Sequence, residues 1–292
     1  MTQPRLLLFC LFLFLTSSAF AQDDLLSLIE EEPQVNYATA SFKTTRVING
    51  HSLENVAPGV LDVKISHRFG FLNSGWYELF GLDAATIRLG LDYGISDRIM
   101  IGVGRSTVEK TYDGFVKYKF LRQSTGKRNM PITAILFSGI SVNSLKWQFP
   151  ERDNHFSSRL NYTHQLIIGR KFNEAFSMQL MPTVVHRNLV KTPAEENDVL
   201  AMGIAGRQKL TKRISINGEY YYVLPNQIRD EFRNSFSVGF DIETGGHVFQ
   251  LHFTNSTAMI EKGFITETVG NWLDGDVHFG FNISRVFTLK KR

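Results

Sequence analysis

The chain has 292 residues, of which 43% are hydrophobic and 21% are charged, and its net charge is +4. A mean hydropathy of −0.12 excludes a membrane protein built from several apolar helices. With 24 Phe and only 8 Pro, the composition also argues against a disordered chain. The excess of 32 basic over 28 acidic residues is too small and too scattered for a nucleic-acid-binding surface.

Residues 1–21 have the pattern of a secretory signal peptide. Arg5 supplies the positive charge, an unbroken apolar run extends from Leu6 to Leu15, and AFA at 19–21 matches the small-x-small cleavage pattern. We therefore expect cleavage near Ala21. The only cysteine, Cys10, lies within this signal, so the mature chain would contain no disulfide, catalytic thiolate or cysteine-ligated metal.

Residues 22–59 precede the repeating pattern that fills the rest of the chain. The acidic stretch 23–32 has Leu25, Leu28 and Ile29 at helical spacing, which predicts a short helix or a mobile arm. Residues 41–49 look like a strand but present no clean apolar face. We interpret 22–59 as an N-terminal periplasmic arm or plug segment, packed against or into the main domain.

From Val60 onward, apolar and polar residues alternate, which is the pattern of strands with one apolar face. Each segment is long enough to cross a bilayer as a tilted strand of ~9–11 residues. The segments are 60–69, 84–93, 98–106, 112–120, 131–143, 156–169, 175–187, 198–207, 213–224, 234–243, 247–256 and 277–288.

The connections between these segments also favour a membrane barrel, because long and short ones mostly alternate. The exceptions are 107–111, which is short, and 121–130, which is long. A barrel this wide could not fill an apolar interior with side chains, so we expect apolar faces toward lipid and a charged, hydrated lumen. The predicted fold is an all-β, antiparallel, up-and-down transmembrane β-barrel of about 12 strands over 60–292, in the outer membrane of a Gram-negative cell.

Several blocks of the sequence carry a family resemblance. They are FKTTRVINGHS (42–52), LDVKISHRFG (61–70), FGLDAATIRLGLDYGISDRIMIGVGRS (80–106), KTYDGFVKYKFLRQ (110–123), LHFTNS (251–256) and GFNISRVF (280–287). Over residues 37–288 the chain resembles an uncharacterised family of Bacteroidota-type outer-membrane β-barrels, a domain of unknown function. The resemblance implies the fold and the compartment but no catalytic residue or cofactor. It also suggests a periplasmic partner, a lipid-binding protein or a cytochrome, besides the lipid of the outer membrane.

The polar faces of the strands supply the candidate functional residues, those predicted to line the lumen. They are Lys64, Arg68, Arg88, Asp92, Lys117, Lys119, Arg159, Arg187, Arg207, Glu219, Asp241, His252 and His278. With Asp62 and Asp113, the charged members of this face are eight basic and five acidic residues. Either structural ion pairs or a solute path with a modest anion preference would explain them. Small residues on the same faces leave room for a pore or for long side chains.

Other chemical signals are weaker. His252 and His278 could meet across the last two strands, but two histidines do not make a metal site, and we expect neither a metal nor a cofactor. His164 lies on an apolar face and has Ser138 on the preceding strand as a conceivable partner, as in an outer-wall lipid hydrolase. We expect no enzyme, because a polar residue near the membrane interface explains His164 equally well.

The longest connection, 257–276, has large residues at every fourth position, which predicts a short helix lying on or folding into the barrel mouth. Together with the loop around residues 75–80, it would expose Trp76, Tyr77, Phe80, Phe264 and Trp272. Three functions follow in order of preference: a passive channel or transporter for a small solute with modest anion preference, a non-conducting binding or scaffold barrel, and an outer-wall lipid hydrolase.

Overall fold

The computed structural model describes residues 34–193 and 195–290; the predicted signal peptide and the predicted helix at 23–32 lie outside them. The strands are β1 (Val35–Tyr37), β2 (Val60–Phe71), β3 (Ala85–Gly94), β4 (Ile99–Ser106), β5 (Tyr112–Leu121), β6 (Ser124–Gly126), β7 (Thr133–Val142), β8 (Leu160–Lys171), β9 (Phe176–Arg187), β10 (Asp198–Lys209), β11 (Ile214–Val223), β12 (Ser235–Thr244), β13 (His247–Thr254) and β14 (His278–Thr288). The described residues contain one short α-helix, α1 (Glu261–Thr266). None of the described helices is long and apolar enough to span a bilayer.

Twelve of these strands, all except β1 and β6, form one closed antiparallel barrel. The barrel closes where β14 pairs with β2, with Thr288 opposite Val60. Consecutive strands are neighbours throughout, so the predicted twelve-strand up-and-down barrel is confirmed. The segment boundaries agree to within a few residues, the largest shift being at β8, where a turn at Phe156–Arg159 precedes the strand.

The two faces of the wall differ as the alternation predicts. On the outside, apolar side chains such as Leu89 (54% exposed), Val103 (57%) and Leu136 (52%) form a belt around the barrel. On the inside, charged side chains such as Lys64 and Arg68 are buried. A continuous belt of exposed apolar side chains is favourable only where lipid covers it, because exposure of so large an apolar surface to water is costly.

The exceptionally long connection between β5 and β7 has a structural explanation. It contains β6, which pairs with β1 so that Val35 lies opposite Gly126. Gly126 has φ +86°, and a Cβ there would lie 2.2 Å from the carbonyl oxygen of Gln34. The extra residues therefore hold the N-terminal arm at the barrel end where β2 begins and β14 ends.

Residues 41–56, which we call the plug, lie inside the barrel. Their hydrogen-bond partners project inward from ten of the twelve barrel strands, which is possible only for a segment within the lumen. The plug forms a tight hairpin in which Arg46 and His51 form an antiparallel β-bridge. The strand-like appearance of 41–49 is misleading, since this backbone is hydrogen-bonded mainly by lumen side chains instead of a neighbouring strand.

The 257–276 connection also folds into the lumen. All six residues of α1 are buried, and Phe264 packs edge-on against Tyr221 with ring centroids 5.0 Å apart. The expectation that Phe264 is exposed is therefore wrong, whereas Trp76 (77% exposed) and Tyr77 (92%) are indeed at the surface. The expected helix exists and occupies the mouth instead of lying on it.

The plug and α1 occupy the lumen, and its lining is partly apolar besides the predicted charged residues. The plug supplies Phe42, Leu53 and Val56 to a buried cluster. The wall contributes inward-facing apolar residues of β4, β5 and β7 to β11: Met100, Phe115, Ile135, Phe137, Ile167, Met181, Val185, Val199, Ala201, Ala205, Tyr221 and Val223. These side chains bury the apolar face of the plug, and the charged side chains of Lys117, Arg207 and Glu219 bind its backbone.

Candidate functional site in the barrel lumen

Glu219 on β11 holds the tip of the plug. One carboxylate oxygen accepts the backbone N–H of Asn49 at 2.7 Å, and the other accepts those of Ile48 at 3.2 Å and Gly50 at 3.1 Å. The fit is close, because a Cβ at Gly50 would lie 2.1 Å from the hydroxyl oxygen of Tyr221. A buried carboxylate that accepts three backbone N–H groups makes charge-assisted hydrogen bonds, the strong kind in proteins.

Cationic side chains bind the carbonyl oxygens of the plug. The ammonium of Lys117 on β5 donates to the carbonyls of Ser52 at 2.9 Å and Glu54 at 2.7 Å. The guanidinium of Arg207 on β10 donates to the carbonyls of Ala40 at 2.9 Å and Ser41 at 3.2 Å. These charges, predicted to line a solute path, bind the protein's own backbone.

Amide side chains complete the set of carbonyl ligands. The Gln250 amide on β13 donates to the carbonyl of Val47 at 2.9 Å, and the Asn282 amide on β14 donates to that of Ile48 at 3.0 Å. On the opposite wall, Gln179 of β9 donates to the carbonyl of His51 at 2.7 Å. The hairpin is thus held from all sides, and its buried backbone groups find partners as they must away from water.

The plug meets α1 at a buried ion pair. The Arg46 guanidinium of the plug lies 2.9 Å from the Glu261 carboxylate of α1, and both side chains are only 8% exposed. Burial raises the pKa of Glu261, and the charge of Arg46 partly offsets that rise. A cavity of about 20 Å³ beside Glu261 has room for about one water molecule.

His51 lies beside this pair, enclosed by Phe115 and Phe137 with ring centroids 4.5 and 4.4 Å away. Its Nε2 is 3.7 Å from the Glu261 carboxylate. Complete burial lowers the pKa of His51 well below its usual value, and the charges of Arg46 and Lys117 lower it further. His51 is therefore a neutral side chain in the closed lumen.

Most of the predicted lumen residues face the interior. Eleven of the thirteen are at most 5% exposed, namely Lys64, Arg68, Arg88, Asp92, Lys117, Arg187, Arg207, Glu219, Asp241, His252 and His278, and Lys119 is half-buried. Several are paired within the wall, as in Lys64 with Asp62 at 2.8 Å and Arg88 with Asp113. Whether any of them lines a solute path stays a prediction.

Arg159 is the exception. It precedes β8, and its guanidinium lies 3.7 Å above the ring of Trp147 and donates to the carbonyls of Asn143 and Leu145. Its assignment to the lumen is therefore wrong, because the strand that would direct it inward begins only at Leu160. Arg159 belongs to the outer loop, where it organises the connection between β7 and β8.

His252 and His278 are both buried but have separate surroundings. His278 bonds the hydroxyl of Thr257 and the carbonyl of Phe69, whereas His252 lies beneath Gly280. Among the described residues there is no group of three or more His, Cys, Asp or Glu able to hold a metal ion.

The outer wall carries the serine–histidine contact that the sequence suggested. Ser138 on β7 lies directly opposite His164 on β8, and its hydroxyl oxygen is 3.1 Å from Nδ1 of the imidazole. Within the described residues, no other side chain hydrogen-bonds to His164 in the way that an orienting third residue of a catalytic triad would. The neighbouring outward residue of β9, Val184, is apolar.

The sequence profile of a known family covers the same region as this architecture. Residues 42–287, which include nearly all of the plug and of the wall, match the family described as "Membrane bound beta barrel domain (DUF5777)". The chain belongs to this family. As a member of the membrane bound beta barrel domain family, it spans the bilayer with the twelve strands described above.

Solved structures with similar chain traces include two porins and an outer membrane channel. The NanC porin is 9% identical, with a TM-score of 0.49 over 78% of this chain and 98% of that chain. The KdgM porin is 10% identical, with a TM-score of 0.47 over 78% and 99% of the two chains. An outer membrane channel from Pseudomonas putida F1 is 11% identical, with a TM-score of 0.44 over 80% and 97%. No curated protein matches the chain.

Sequence reasoning did not find the partners of the lumen residues in this family member. Gln179, Gln250 and Asn282 occupy inward positions of their strands, but an uncharged amide gives no signal of what it binds. The one detectable hint was the lack of an apolar face in 41–49, which is expected where a segment is contacted from every side.

Proposed function

We propose that this protein is a gated channel or transporter of the outer membrane, described here in its closed state. The observation that supports the proposal is the plug, which fills the lumen and is bound there by the inward-facing charged and amide side chains. Its two ends lie at the same barrel mouth, near Arg98 and Lys171 at the inner ends of β4 and β8. It could therefore leave the lumen as a loop, without threading a chain end through the barrel.

The polarity of the interior favours a lumen that opens over one that is permanently sealed. Buried charged groups contribute little net stability to a fold, and apolar side chains of similar volume often stabilise the fold as much or more. Inward charges such as Arg68, Asp92 and Lys117 have a clear use if water enters the lumen when the plug leaves, since they would then be hydrated. In that state they would form the lining of the solute path.

The proposed solute is small, and the lining of the lumen gives the channel a modest preference for negatively charged solutes. With Arg159 assigned to the outer loop, the inward charges are seven basic residues, Lys64, Arg68, Arg88, Lys117, Lys119, Arg187 and Arg207, and five acidic ones, Asp62, Asp92, Asp113, Glu219 and Asp241. The excess of two positive charges, seven minus five, favours anions weakly. The signal peptide, cleaved near Ala21, would direct export of the chain to the periplasm.

The non-conducting alternative rests on the same closure. If the plug never leaves, the barrel is a scaffold whose arm at residues 34–39 faces the periplasm, where a lipid-binding protein or a cytochrome could bind it. The two functions differ in one measurable property, which is the conductance of the lumen once the plug is absent.

The experiment compares the full chain with a variant lacking residues 41–56 in planar bilayers. We expect long closed periods for the full chain, steady conductance for the variant, and a reversal potential that indicates weak anion selectivity. Heat-modifiable migration on a gel serves as the control for a folded barrel. A folded variant that does not conduct would overturn the channel and leave the scaffold, and cation selectivity would contradict the role given to the inward charges.

A further inference from the structure

We propose that Ser138 and His164 form a binding site for a phospholipid with two ester-linked acyl chains on the outer wall of the barrel. Both side chains project from the lipid-facing side of the wall, where their neighbours Leu136 and Leu166 are apolar. Their contact, 3.1 Å between Oγ and Nδ1, joins two adjacent strands in register. Polar groups at such positions are costly unless they are hydrogen-bonded.

The pair leaves one donor hydrogen unused whichever tautomer the imidazole adopts. If the Ser138 hydroxyl donates to Nδ1 of His164, the proton of the neutral ring is on Nε2, and that N–H has no described partner. If Nδ1–H donates to the hydroxyl oxygen, the Ser138 O–H is free instead. Facing lipid, the acceptors within reach of either donor are oxygen atoms of lipid molecules.

Two grooves flank the pair and share Ser138. One, of about 590 Å³, is lined by Leu136, Leu166, Pro182, Val184 and Met202 together with His164. The other, of about 710 Å³, is lined by Gly114, Ile140 and Tyr162 among others. Two apolar grooves that meet at one polar donor fit a lipid whose two chains diverge from a carbonyl-bearing linkage.

The depth of the pair in the membrane fits an ester carbonyl. At the outer rim, Tyr162 lies opposite His186, whose imidazole contacts the carboxylate of Asp198 at 2.7 Å. His164 lies two residues below Tyr162, which is about 7 Å along the strand and about 5 Å along the membrane normal for a tilted strand. That level is just inside the polar rim, where the headgroup region gives way to acyl chains.

Lipid recognition needs less of the site than catalysis would. Hydrolysis of an ester requires an oriented base and donors for the developing oxyanion in addition to the nucleophile. The backbone N–H groups around Ser138 are engaged in the β7–β8 ladder, and His164 lacks an orienting residue among its described contacts. The free donor and the two grooves are sufficient to hold a lipid in place.

The test is a native mass spectrometry titration of the detergent-purified full chain. The probes are a diester phosphatidylethanolamine and its dialkyl ether analogue, which has the same headgroup and chains but no ester carbonyl. We expect the protein to bind the diester lipid about fivefold more tightly than the ether lipid, as one hydrogen bond provides. The double variant Ser138→Ala/His164→Leu should bind both lipids equally, at the level of the ether lipid.

The matched control is His67→Leu, which removes another lipid-facing histidine, one that stacks on Phe281 on the far side of the barrel. This variant should keep the fivefold preference, and heat-modifiable migration verifies that each variant is folded. Equal binding of the two lipids by the unaltered protein would overturn the proposal. The proposal would also be overturned if a multiply acylated outer-membrane glycolipid displaced the diester lipid equally well from the unaltered protein and from the double variant. Neither outcome depends on whether the lumen conducts.

Discussion

Replacing Glu219 by Gln should release the plug without disturbing the barrel wall. In the protein as described, both carboxylate oxygens accept backbone N–H groups, three in all, from Ile48, Asn49 and Gly50. A glutamine keeps only one acceptor oxygen, and its amide would direct its own hydrogens at N–H groups of the plug. The change therefore weakens all three bonds and makes part of the contact repulsive.

The expected magnitude follows from the three bonds. A hydrogen bond to a charged group contributes about 1 kcal/mol more than a neutral one, so three of them give a loss of at most about 3 kcal/mol, reached where the carboxylate is fully ionised. At about 1.4 kcal/mol per factor of ten, the released state becomes roughly a hundredfold more populated. The wall ladder does not use this side chain, so the fold should persist.

The assay uses Ser52→Cys, a nearly isosteric change at a fully buried plug residue, in a mature chain that is expected to contain no other cysteine. We expect a water-soluble maleimide to label the thiol about a hundredfold faster when Glu219→Gln is added, with more frequent openings in planar bilayers. Glu195→Gln is the matched control, because that buried carboxylate pairs with Arg187 at 2.9 Å and has no bond to the plug. Equal labelling rates with and without Glu219→Gln would refute the reasoning.

Two further predictions concern the junction between plug and α1. Either Arg46→Met or Glu261→Gln alone leaves the other member of the pair buried and unpaired, and should raise the open probability in planar bilayers. A double-mutant cycle on the free energy of opening should show a coupling of about 2 kcal/mol between the two changes. Additive effects would mean that the pair does not secure the plug. In a Glu261→Gln background, acidification should favour opening more than in the same background with His51→Leu added, because the plugged state keeps the pKa of His51 well below its ordinary value of 6.5. Each pH unit below 6.5 destabilises the plugged state through His51 by at most about 1.4 kcal/mol, and the comparison with His51→Leu separates this contribution from those of the other buried titratable groups. The background is needed since burial raises the pKa of Glu261, so its protonation on acidification favours the closed state.

The wall could be predicted from sequence because its signal is local and repeated. In β3, for example, Leu89 and Leu91 alternate with Arg88 and Asp92, and a strand must send such neighbours to opposite faces. The same alternation identified the inward charges by position alone. It failed for Arg159, where the pattern continued beyond the true start of the strand at Leu160.

The plug could not be predicted in the same way, because its contacts are non-local. Asn49 contacts side chains more than 160 residues away, on β11 and β12. No period in 41–56 reports such partners, and the hairpin shape depends on them more than on its own propensities. The Ser138–His164 contact lies between these cases: the alternation gave the common face, and only the register of β7 with β8 brought the two side chains together.

A short series of contacts inside the lumen connects the outer loops with the inner mouth of the barrel. In the outer loops, Glu109 lies 3.0 Å from Lys262 of α1, which places the helix. The next residue of α1, Glu261, pairs with Arg46, and the plug then continues to the inner mouth, where Lys43 pairs with Glu243. The Arg46–Glu261 ion pair joins the part of this path on α1 to the part on the plug, which is why both single changes above are expected to act on the plug.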